Sequence, residues 1–369
     1  MAQVSLTNIQ APIPGGGALQ DVNLEARDRE FLVLAGPSGC GNSTVLRLLA
    51  GLERPSGGEL SVGGRVVNAL PPRERGVALV LPKGGLFPQI TGAANIALGL
   101  KGRHFSKAEV GKRAAAAAEV TGAGDALALR PAAMTAGQRL RVALARAIVG
   151  QPKAILLDDP LAALDAETRA VFRAELVKWQ ERLQTTFLYA TADPLEAMTL
   201  GHRAALFEAG RLRGVDAPRA LYERPANRFV AGFLGRPKMN FLAGRVQTGK
   251  AGVVFKETEG TVELALEGER AGELAGREMT LGFRPEDVRP ALETESPKAR
   301  GGRCQGLVEH VEATGADVFY TVQTGGHDVV IRGAAGEEPR GVGRRMAFDI
   351  ALEKVHLFDA ASGERIPLN

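Results

Sequence analysis

Short apolar segments alternate with helical patterns along the first part of the chain. Phe31–Ala35, Ala154–Leu157 and Thr185–Tyr189 are short and largely apolar, as is typical of strands that are buried on both faces of a parallel sheet. Between them, Ser43–Ala50 and Glu167–Leu183 have the spacing of helices. Strands that alternate with helices in this way predict an α/β domain with a parallel sheet.

The pattern changes near residues 225–236. Beyond this stretch, short strand-like segments are separated by glycine, proline and acidic turns, and no helical pattern of any length is present. The predicted strands are Val253–Lys256, Thr261–Leu266, Glu278–Phe283, Gly306–Val311, Asp317–Val322 and Asp328–Ile331. We therefore expect an α/β domain over residues 1–235 and a separate all-β domain over residues 236–369.

Composition narrows the class of protein further. The chain has 369 residues, of which 45% are hydrophobic and 24% are charged, and its net charge is +4. These values are typical of a globular protein and exclude disorder, a collagen-like chain and a disulfide scaffold. The charge is too small and too evenly spread to indicate a nucleic-acid partner. No apolar run approaches the roughly 18 residues of a membrane span, and the 2 cysteines are far apart in sequence. We therefore expect a cytoplasmic protein.

A glycine-rich segment joins the first apolar strand to the helix that follows it. The backbone N–H groups of such a loop, together with the positive end of the helix, hold phosphate groups in many proteins. The segment matches the phosphate-loop motif at every defined position except Asn42, where a lysine normally reaches the β- and γ-phosphates. Ser43 is placed to give its hydroxyl to Mg²⁺. The predicted nucleotide-binding residues are Gly36, Pro37, Ser38, Gly39, Cys40, Gly41, Asn42, Ser43 and Thr44.

Two further segments complete the candidate site. Asp158 ends the second apolar strand, where a carboxylate is expected to hold the Mg²⁺ shell, and Asp159 follows it directly. Residues 134–138, with the sequence MTAGQ, open a predicted helix at Arg139–Val149. Residues 103–150 as a whole are mostly helical by pattern and contain an unbroken run of alanines.

In this order the segments resemble the ATP-binding subunits of ABC transporters, and the resemblance spans all 369 residues. In its C-terminal half the chain is most similar to the sugar and glycerol-phosphate importer type. The stretches that carry the resemblance are GPSGCGNSTVLRLLAGLERPSGGEL, AGQRLRVALARAIVGQPKAILLDDPLAALD, LEAMTLGHR, FVAGFLGRPKMNFLAG, LGFRPEDV and EKVHLFDAASGERI.

The resemblance implies a fold, a cofactor and a set of partners. The fold would be an α/β P-loop ATPase core with a helical subdomain at about residues 86–150, followed by an all-β, OB-like regulatory domain. Two such subunits would face each other head to tail. Each would bind ATP with Mg²⁺ on its phosphate loop and close the site of the other with its signature sequence. The pair, a homodimer or one with a second ATPase subunit, would drive transmembrane permease subunits from the inner face of the cell membrane.

The resemblance also assigns roles to single residues. Ser43 and Asp158 would hold Mg²⁺, and Asp159 would be the general base. Asp165 would contact the other subunit of the dimer. The signature sequence would be formed by Thr135, Ala136, Gly137 and Gln138.

Six positions depart from the family pattern, and all of them lie where the chemistry would take place. The departures are Ile13 for an aromatic residue that stacks on adenine, Asn42 for lysine, Pro82 for glutamine, Ala136 for glycine, Asp159 for glutamate and Ala192 for histidine. Isoleucine has no ring, proline has no side-chain amide, and alanine forms no hydrogen bond with a γ-phosphate. Because the glycines and the apolar strands are intact, we expect that the fold is kept and that hydrolysis is impaired.

Several functions are compatible with this pattern. As an importer subunit, the chain either hydrolyses ATP weakly as a homodimer or forms the degenerate half of a pair with an intact ATPase. Alternatively, it is a non-catalytic regulatory or scaffold protein that kept the ABC ATPase fold. A P-loop kinase is disfavoured, because such enzymes also need the missing lysine and have no signature segment before the Mg²⁺ aspartate.

Overall fold

A computed structural model describes residues 3–102, 104–249, 252–291, 302–334 and 341–368. The chain divides into two compact units, Met1–Ala220 and Leu221–Asn369. Among the described residues, no helix is both long enough and apolar enough to cross a membrane.

The first unit combines two sheets with several helices. Its strands are β1 (Val4–Pro12), β2 (Ala18–Ala26), β3 (Phe31–Ala35), β4 (Gly57–Val62), β5 (Arg65–Val66), β6 (Val77–Val80), β7 (Ala154–Asp158), β8 (Thr186–Thr191), β9 (Arg203–Glu208) and β10 (Arg211–Asp216). Its helices are α1 (Asn42–Ala50), α2 (Gly92–Ala97), α3 (Lys107–Thr121), α4 (Ala136–Ile148), α5 (Ala166–Leu183) and α6 (Pro194–Thr199). Helix α7 (Pro218–Glu223) crosses the boundary between the units.

The larger sheet of the first unit positions the candidate site. Its strand order is β10-β9-β3-β8-β7-β6, and all neighbouring pairs are parallel except β10 with β9. Strands β3, β7 and β8 are buried along their whole length, which explains their continuously apolar sequences. Because the carboxyl ends of parallel strands meet at one edge of a sheet, the segments after these three strands lie side by side. In the register, Ala35 lies opposite Thr191, and Asp158 lies opposite Ala190.

The second sheet of this unit is antiparallel, with the order β2-β1-β4-β5. Apolar side chains of β1, β2 and β4 share one hydrophobic core with β3 and α1. The core therefore supports the phosphate loop, which connects β3 to α1, from both sheets.

Helix α4 begins earlier than the sequence pattern predicts. The predicted helix starts at Arg139, whereas the helix in the structure starts at Ala136. Thr135 is its N-cap: its hydroxyl accepts from the N–H of Gln138 at 3.1 Å, and the Gln138 side-chain oxygen accepts from the N–H of Thr135 at 2.9 Å. This reciprocal pair is a capping box. The residues expected to precede the helix are therefore its cap and first turn.

The second unit is rich in strands, as predicted. Helix α8 (Arg228–Phe233) precedes them. The strands are β11 (Asn240–Gly249), β12 (Gly252–Glu257), β13 (Glu263–Ala265), β14 (Glu278–Phe283), β15 (Val288–Ala291), β16 (Arg303–Ala313), β17 (Asp317–Gln323), β18 (Asp328–Ala334), β19 (Arg345–Ile350), β20 (His356–Asp359) and β21 (Arg365–Ile366). They form two antiparallel sheets with the orders β13-β12-β11-β14-β20-β21 and β15-β19-β16-β17-β18. Both sheets contribute side chains to one core, among them Phe255, Phe283, Tyr320 and Phe348.

Candidate functional site

The phosphate loop runs from the end of β3 to the first turn of α1. A side chain at Gly36 would collide with the carbonyl oxygen of Phe207 on β9. Gly39 and Gly41 have φ angles of 80° and 104°, in the left-handed region that favours glycine. A Cβ at Gly41 would also lie 2.6 Å from Cδ2 of Leu19. Packing therefore favours glycine at positions 36 and 41, and the left-handed backbone favours it at positions 39 and 41.

Ser43 and Asp158, predicted to hold Mg²⁺, lie together at the sheet edge. The Ser43 hydroxyl donates a hydrogen bond to Oδ1 of Asp158 at 2.6 Å. The Asp158 carboxylate is buried at the carboxyl end of β7. A hydroxyl and a carboxylate are the hard oxygen donors that Mg²⁺ prefers, and two protein ligands of this kind are typical when phosphates and water supply the others. The two residues therefore fit a Mg²⁺ ion bound together with a nucleotide.

Asn42, at the position of the family lysine, is directed into the protein. Its side-chain amide donates to the carbonyl oxygens of Thr191 at 3.0 Å and Leu34 at 3.3 Å. Its side-chain oxygen accepts from the N–H of Ser43 at 2.8 Å. Only 8% of the residue is exposed. A buried neutral amide, with both of its polar atoms bonded inside the chain, therefore replaces the lysine charge.

Asp159, at the position of the general base, has an unusual backbone and an unusual pKa. Its φ angle is 41°, in a left-handed region that aspartate tolerates better than most residues, and its N–H donates to the carbonyl oxygen of Ala190 at 3.0 Å. Burial, followed by the charges of Glu196 and Asp158, raises the pKa of the Asp159 carboxyl to about 6. The carboxyl is therefore mostly ionised at neutral pH, and it titrates far closer to neutrality than an ordinary aspartate.

A buried carboxylate that the sequence analysis did not identify organises the loop after β8. Glu196 accepts hydrogen bonds from the hydroxyls of Thr191 at 2.5 Å and Tyr189 at 2.8 Å. The Thr191 hydroxyl in turn accepts from the N–H of Asp193 at 3.0 Å. Between these residues, Ala192 is exposed, and its side chain is a methyl group. The loop is thus firmly held, and the position of the family histidine offers no polar side chain.

Two other departures each follow a strand, but the two strands belong to different sheets. Pro82 is exposed after β6 and begins a short 3₁₀ turn, Pro82–Gly84. Ile13 is buried after β1, where its Cδ1 atom packs against Gly41 of the phosphate loop. Ile13 and its two neighbouring prolines line a cavity of about 300 Å³ together with Glu53 and Arg54. The position thus supports the loop by packing and offers the cavity an aliphatic wall without an aromatic ring.

The signature residues form the N-terminus of α4. The Thr135 hydroxyl and the Gln138 side chain are engaged in the capping box, and the Gln138 amide also donates to Asp125 at 2.7 Å. A Cβ at Gly137 would lie 3.1 Å from the ring of Phe172 on α5, so glycine is favoured there by packing. Ala136 is partly exposed. As first-turn residues, Ala136 and Gly137 carry N–H groups that have no acceptor within the helix.

Asp165 is the N-cap of α5. Its carboxylate accepts from the N–H of Thr168 at 2.9 Å and from the Thr168 hydroxyl at 2.7 Å. These two hydrogen bonds lower the pKa of the Asp165 carboxyl. Asp165, which is predicted to lie at a dimer contact, therefore also has a structural role within its own chain.

The described part of the chain contains no group of three or more His, Cys, Asp or Glu side chains arranged to hold a metal ion.

Comparisons with known families match three consecutive parts of the chain. Residues 19–162 match the ABC transporter family, residues 235–288 match the MalK OB fold domain, and residues 281–358 match the TOBE domain. The first match contains the phosphate loop, the signature residues and Asp158. The other two lie on the strands of the second unit.

Known proteins resemble the chain over nearly its full length. It is 39% identical over 367 residues to the "Uncharacterized ABC transporter ATP-binding protein YcjV" of Escherichia coli O157:H7, covering 98% of each chain. It is also 39% identical over 368 residues to the "sn-glycerol-3-phosphate import ATP-binding protein UgpC" of Burkholderia pseudomallei (strain K96243), covering 99% of each. Among solved structures, the chain is similar to the ATP-binding cassette MJ0796 bound to ADP and Pi, with 30% sequence identity and a TM-score of 0.53. The match covers 58% of this chain and 99% of the MJ0796 chain.

Proposed function

The chain belongs to the family of ABC transporter ATP-binding proteins, and on this premise we propose that it binds ATP for an import system while its own site hydrolyses ATP poorly. The nucleotide lies on the phosphate loop, with Mg²⁺ held by Ser43 and Asp158. Residues 1–235 act as the nucleotide-binding domain and residues 236–369 as a regulatory domain. The start of the OB fold match at residue 235 supports this division.

The observation that carries the proposal is the contrast at the sheet edge. The Ser43 hydroxyl oxygen lies 2.6 Å from Oδ1 of Asp158, so two oxygen donors for a metal ion are side by side. Ala192, just after the neighbouring strand β8, has only a methyl group as its side chain. Mg²⁺ would supply the charge that neutralises the phosphates. Transfer of the phosphoryl group depends almost entirely on positioning and electrostatic stabilisation, so the loss of a hydrogen-bond donor at the γ-phosphate lowers the rate steeply.

Two further residues support slow hydrolysis. Asp159 has a carboxylate one methylene shorter than glutamate, and a displacement of roughly 1 Å costs about 10²-fold in rate. Asn42 provides no positive charge to the phosphates, and a hydrogen bond to a charged group contributes about 1.5–3 kcal/mol. The defects act on one transition state, so ATP would be bound and only rarely cleaved.

We further propose that the working form is an asymmetric pair with an intact ATPase subunit. In a head-to-tail pair, each site takes its phosphate loop and base from one chain and its signature from the other. One site would then combine Asn42, Asp159 and Ala192 with the partner's signature, and would hold nucleotide. The second site would combine the partner's catalytic residues with the N-terminus of α4, whose first-turn N–H groups face a phosphate.

The transport role follows from the relatives. The name of the Burkholderia pseudomallei protein supports import of a glycerol phosphate as the cargo class. Transmembrane permease subunits would select the cargo path, and they would hold this chain on the inner face of the cell membrane. No nucleic-acid partner is proposed, because the net charge of +4 is small for a chain of this length.

The experiment that tests this proposal is reconstitution with the permeases and the second ATPase encoded alongside them. We expect ATPase activity from the mixed complex and close to none from this chain alone. Turnover by the isolated chain in the usual range of about 1–100 s⁻¹ would contradict impaired hydrolysis. A mixed complex that transports cargo while this chain binds no nucleotide would instead favour the scaffold alternative.

A single substitution tests whether the signature of this chain serves a working site. Ala136→Asp places a negative charge at the first turn of α4, where it stabilises the helix and repels a phosphate. Ala108→Asp is a matched control, because Ala108 is exposed in the first turn of α3. We expect Ala136→Asp to remove most ATPase activity of the mixed complex and Ala108→Asp to leave it intact. Equal activity of the two variants would rule out the asymmetric pair.

A further inference from the structure

We propose that the Asn42 side chain competes with phosphate for the loop, so that this residue weakens nucleotide binding by its presence as well as by the absence of a lysine. The inference rests on the proposed function, in which this loop is the nucleotide site. It assigns Asn42 as a positioning residue that holds the nucleotide-free loop in a satisfied state.

The orientation of the Asn42 amide is determined by its surroundings. Its Nδ2 atom faces two carbonyl oxygens, those of Thr191 and Leu34, at 3.0 and 3.3 Å. If the amide were turned over, its oxygen would face both carbonyl oxygens at these distances, and such oxygen–oxygen contacts are repulsive because neither partner carries a proton. The side-chain oxygen must therefore be the atom that faces the N–H of Ser43, at 2.8 Å.

The Ser43 N–H is one of the donors that make a helix N-terminus attractive to an anion. The first N–H groups of a helix have no acceptor within it, and phosphates bind there for that reason. The N-cap of α1 is Gly41, which has no side chain to satisfy them. Asn42 supplies the missing acceptor from inside the loop. A phosphate oxygen that approaches the Ser43 N–H must first displace the Asn42 oxygen.

Displacement is opposed because the side chain is held at both ends. The amide nitrogen is bonded to strand carbonyls on β3 and just at the end of β8, and only 8% of the residue is exposed. A rotation that frees the Ser43 N–H also strains or breaks these bonds. A lysine at this position would behave differently, because an ammonium group has donors only and does not occupy an N–H group.

The test compares three variants of the full chain, with the non-hydrolysable analogue AMP-PNP and Mg²⁺ as the probe in titration calorimetry. Asn42→Ala removes the competing oxygen, and Asn42→Leu does so while keeping the branched shape of the side chain. We expect both to bind the analogue about threefold to tenfold more tightly than the natural chain. Asn42→Lys should bind most tightly, because it also adds a charge. If the alanine variant does not fold, the leucine variant carries the comparison.

Stability measured without nucleotide provides the readout that a merely structural role would not reproduce. Loss of the three Asn42 hydrogen bonds should lower the melting temperature of the alanine and leucine variants while their affinity rises. A residue that only supports the fold would lower both. In parallel, the Ser43 amide should exchange its hydrogen faster in both variants than in the natural chain.

The outcomes separate this inference from the function on which it rests. The competition is wrong if the alanine and leucine variants bind the analogue no better than the natural chain while the lysine variant binds it well. That result would leave the proposed nucleotide site in place. If the lysine variant also fails to bind, both the competition and the nucleotide site are wrong.

Discussion

The phosphate-loop edge and the start of α4 differ in which of their residues depart from the family pattern. At the edge, Asn42, Asp159 and Ala192 have changed the polar groups offered to a nucleotide. At the start of α4, Thr135 and Gln138 still form a capping box. The difference follows the role of each side chain within the chain: residues that hold the fold are present, and the replaced residues are those with a proposed contact to the nucleotide.

This distinction changes how the remaining motif residues are understood. Gly137 is favoured by packing against Phe172, and Asp165 caps α5 through Thr168. The Ser43 hydroxyl donates a hydrogen bond to the Asp158 carboxylate. Each of these residues has a structural reason to stay, so its presence alone does not establish catalysis. The variants below therefore separate the structural tasks from the catalytic ones.

The largest expected effect comes from restoring the edge. Asn42→Lys, Asp159→Glu and Ala192→His together should raise ATPase turnover of the isolated chain by roughly 10³-fold or more, because they return a charge, a longer base and a γ-phosphate donor to one transition state. Asn42→Lys alone should tighten nucleotide binding and leave hydrolysis slow, because groups that act as a unit are not additive. Steady-state ATPase assays of the natural chain, the lysine variant and the triple variant decide this. Full activity from the lysine variant alone would mean that the other two replacements are harmless.

A medium effect is expected from the raised pKa of Asp159. Because the folded pKa of about 6 lies above the ordinary value of 3.8, the native state holds a proton that the unfolded state has lost between these values. The carboxyl therefore lowers stability as pH rises through this window, and the penalty is complete above it. Asp159→Asn should raise the free energy of unfolding at pH 7.5 by about 1–2 kcal/mol, after allowance for partial solvent screening.

Urea unfolding at two pH values checks this prediction. At pH 3.5 to 4 the natural aspartate is already protonated in the folded state, so the asparagine variant should gain almost nothing. A stabilisation of the same size at both pH values would show that the aspartate charge is not its cause.

The smallest effect is expected at the cap of α4. Thr135→Ala removes the hydroxyl that accepts from the Gln138 N–H, and the loss of such a cap costs about 1 kcal/mol. Thr135→Ser keeps the hydroxyl and is the matched control. The midpoint of thermal unfolding should fall by about 2–4 °C for alanine and much less for serine. If alanine and serine behave alike, the capping box does not stabilise this helix.

The sequence predicted the buried strands of the first unit well, because a run such as Phe31–Ala35 is apolar throughout. It was wrong about the start of α4, although the pattern Thr135-x-x-Gln138 of a capping box was visible. It did not predict β11, whose interior contains Gly244. Glycine usually indicates a turn, but here it leaves room for the ring of Phe255, with which a Cβ would collide.

The sequence predicted where the candidate residues lie along the strands and helices more completely than it predicted the contacts of their side chains. One partner of Asn42, Thr191 on β8, is 149 residues away in sequence, so the inward orientation of the amide could not be predicted. Glu196 was missed for a similar reason. A single glutamate in a helical pattern gives no sign that it is buried and accepts hydrogen bonds from two hydroxyls. These contacts exist only once the parallel strands have been placed side by side.

The packing of the phosphate-loop glycines bears on how many mutations separate this chain from the family pattern. Gly36 lies against Phe207 and Gly41 against Leu19, so these contacts of the loop do not involve the side chain at position 42. In the genetic code, asparagine becomes lysine and aspartate becomes glutamate by a change in the last base of the codon. Alanine reaches histidine only through changes at more than one base. The conversion of Ala192 to histidine is therefore the change that single-base mutation is least able to make.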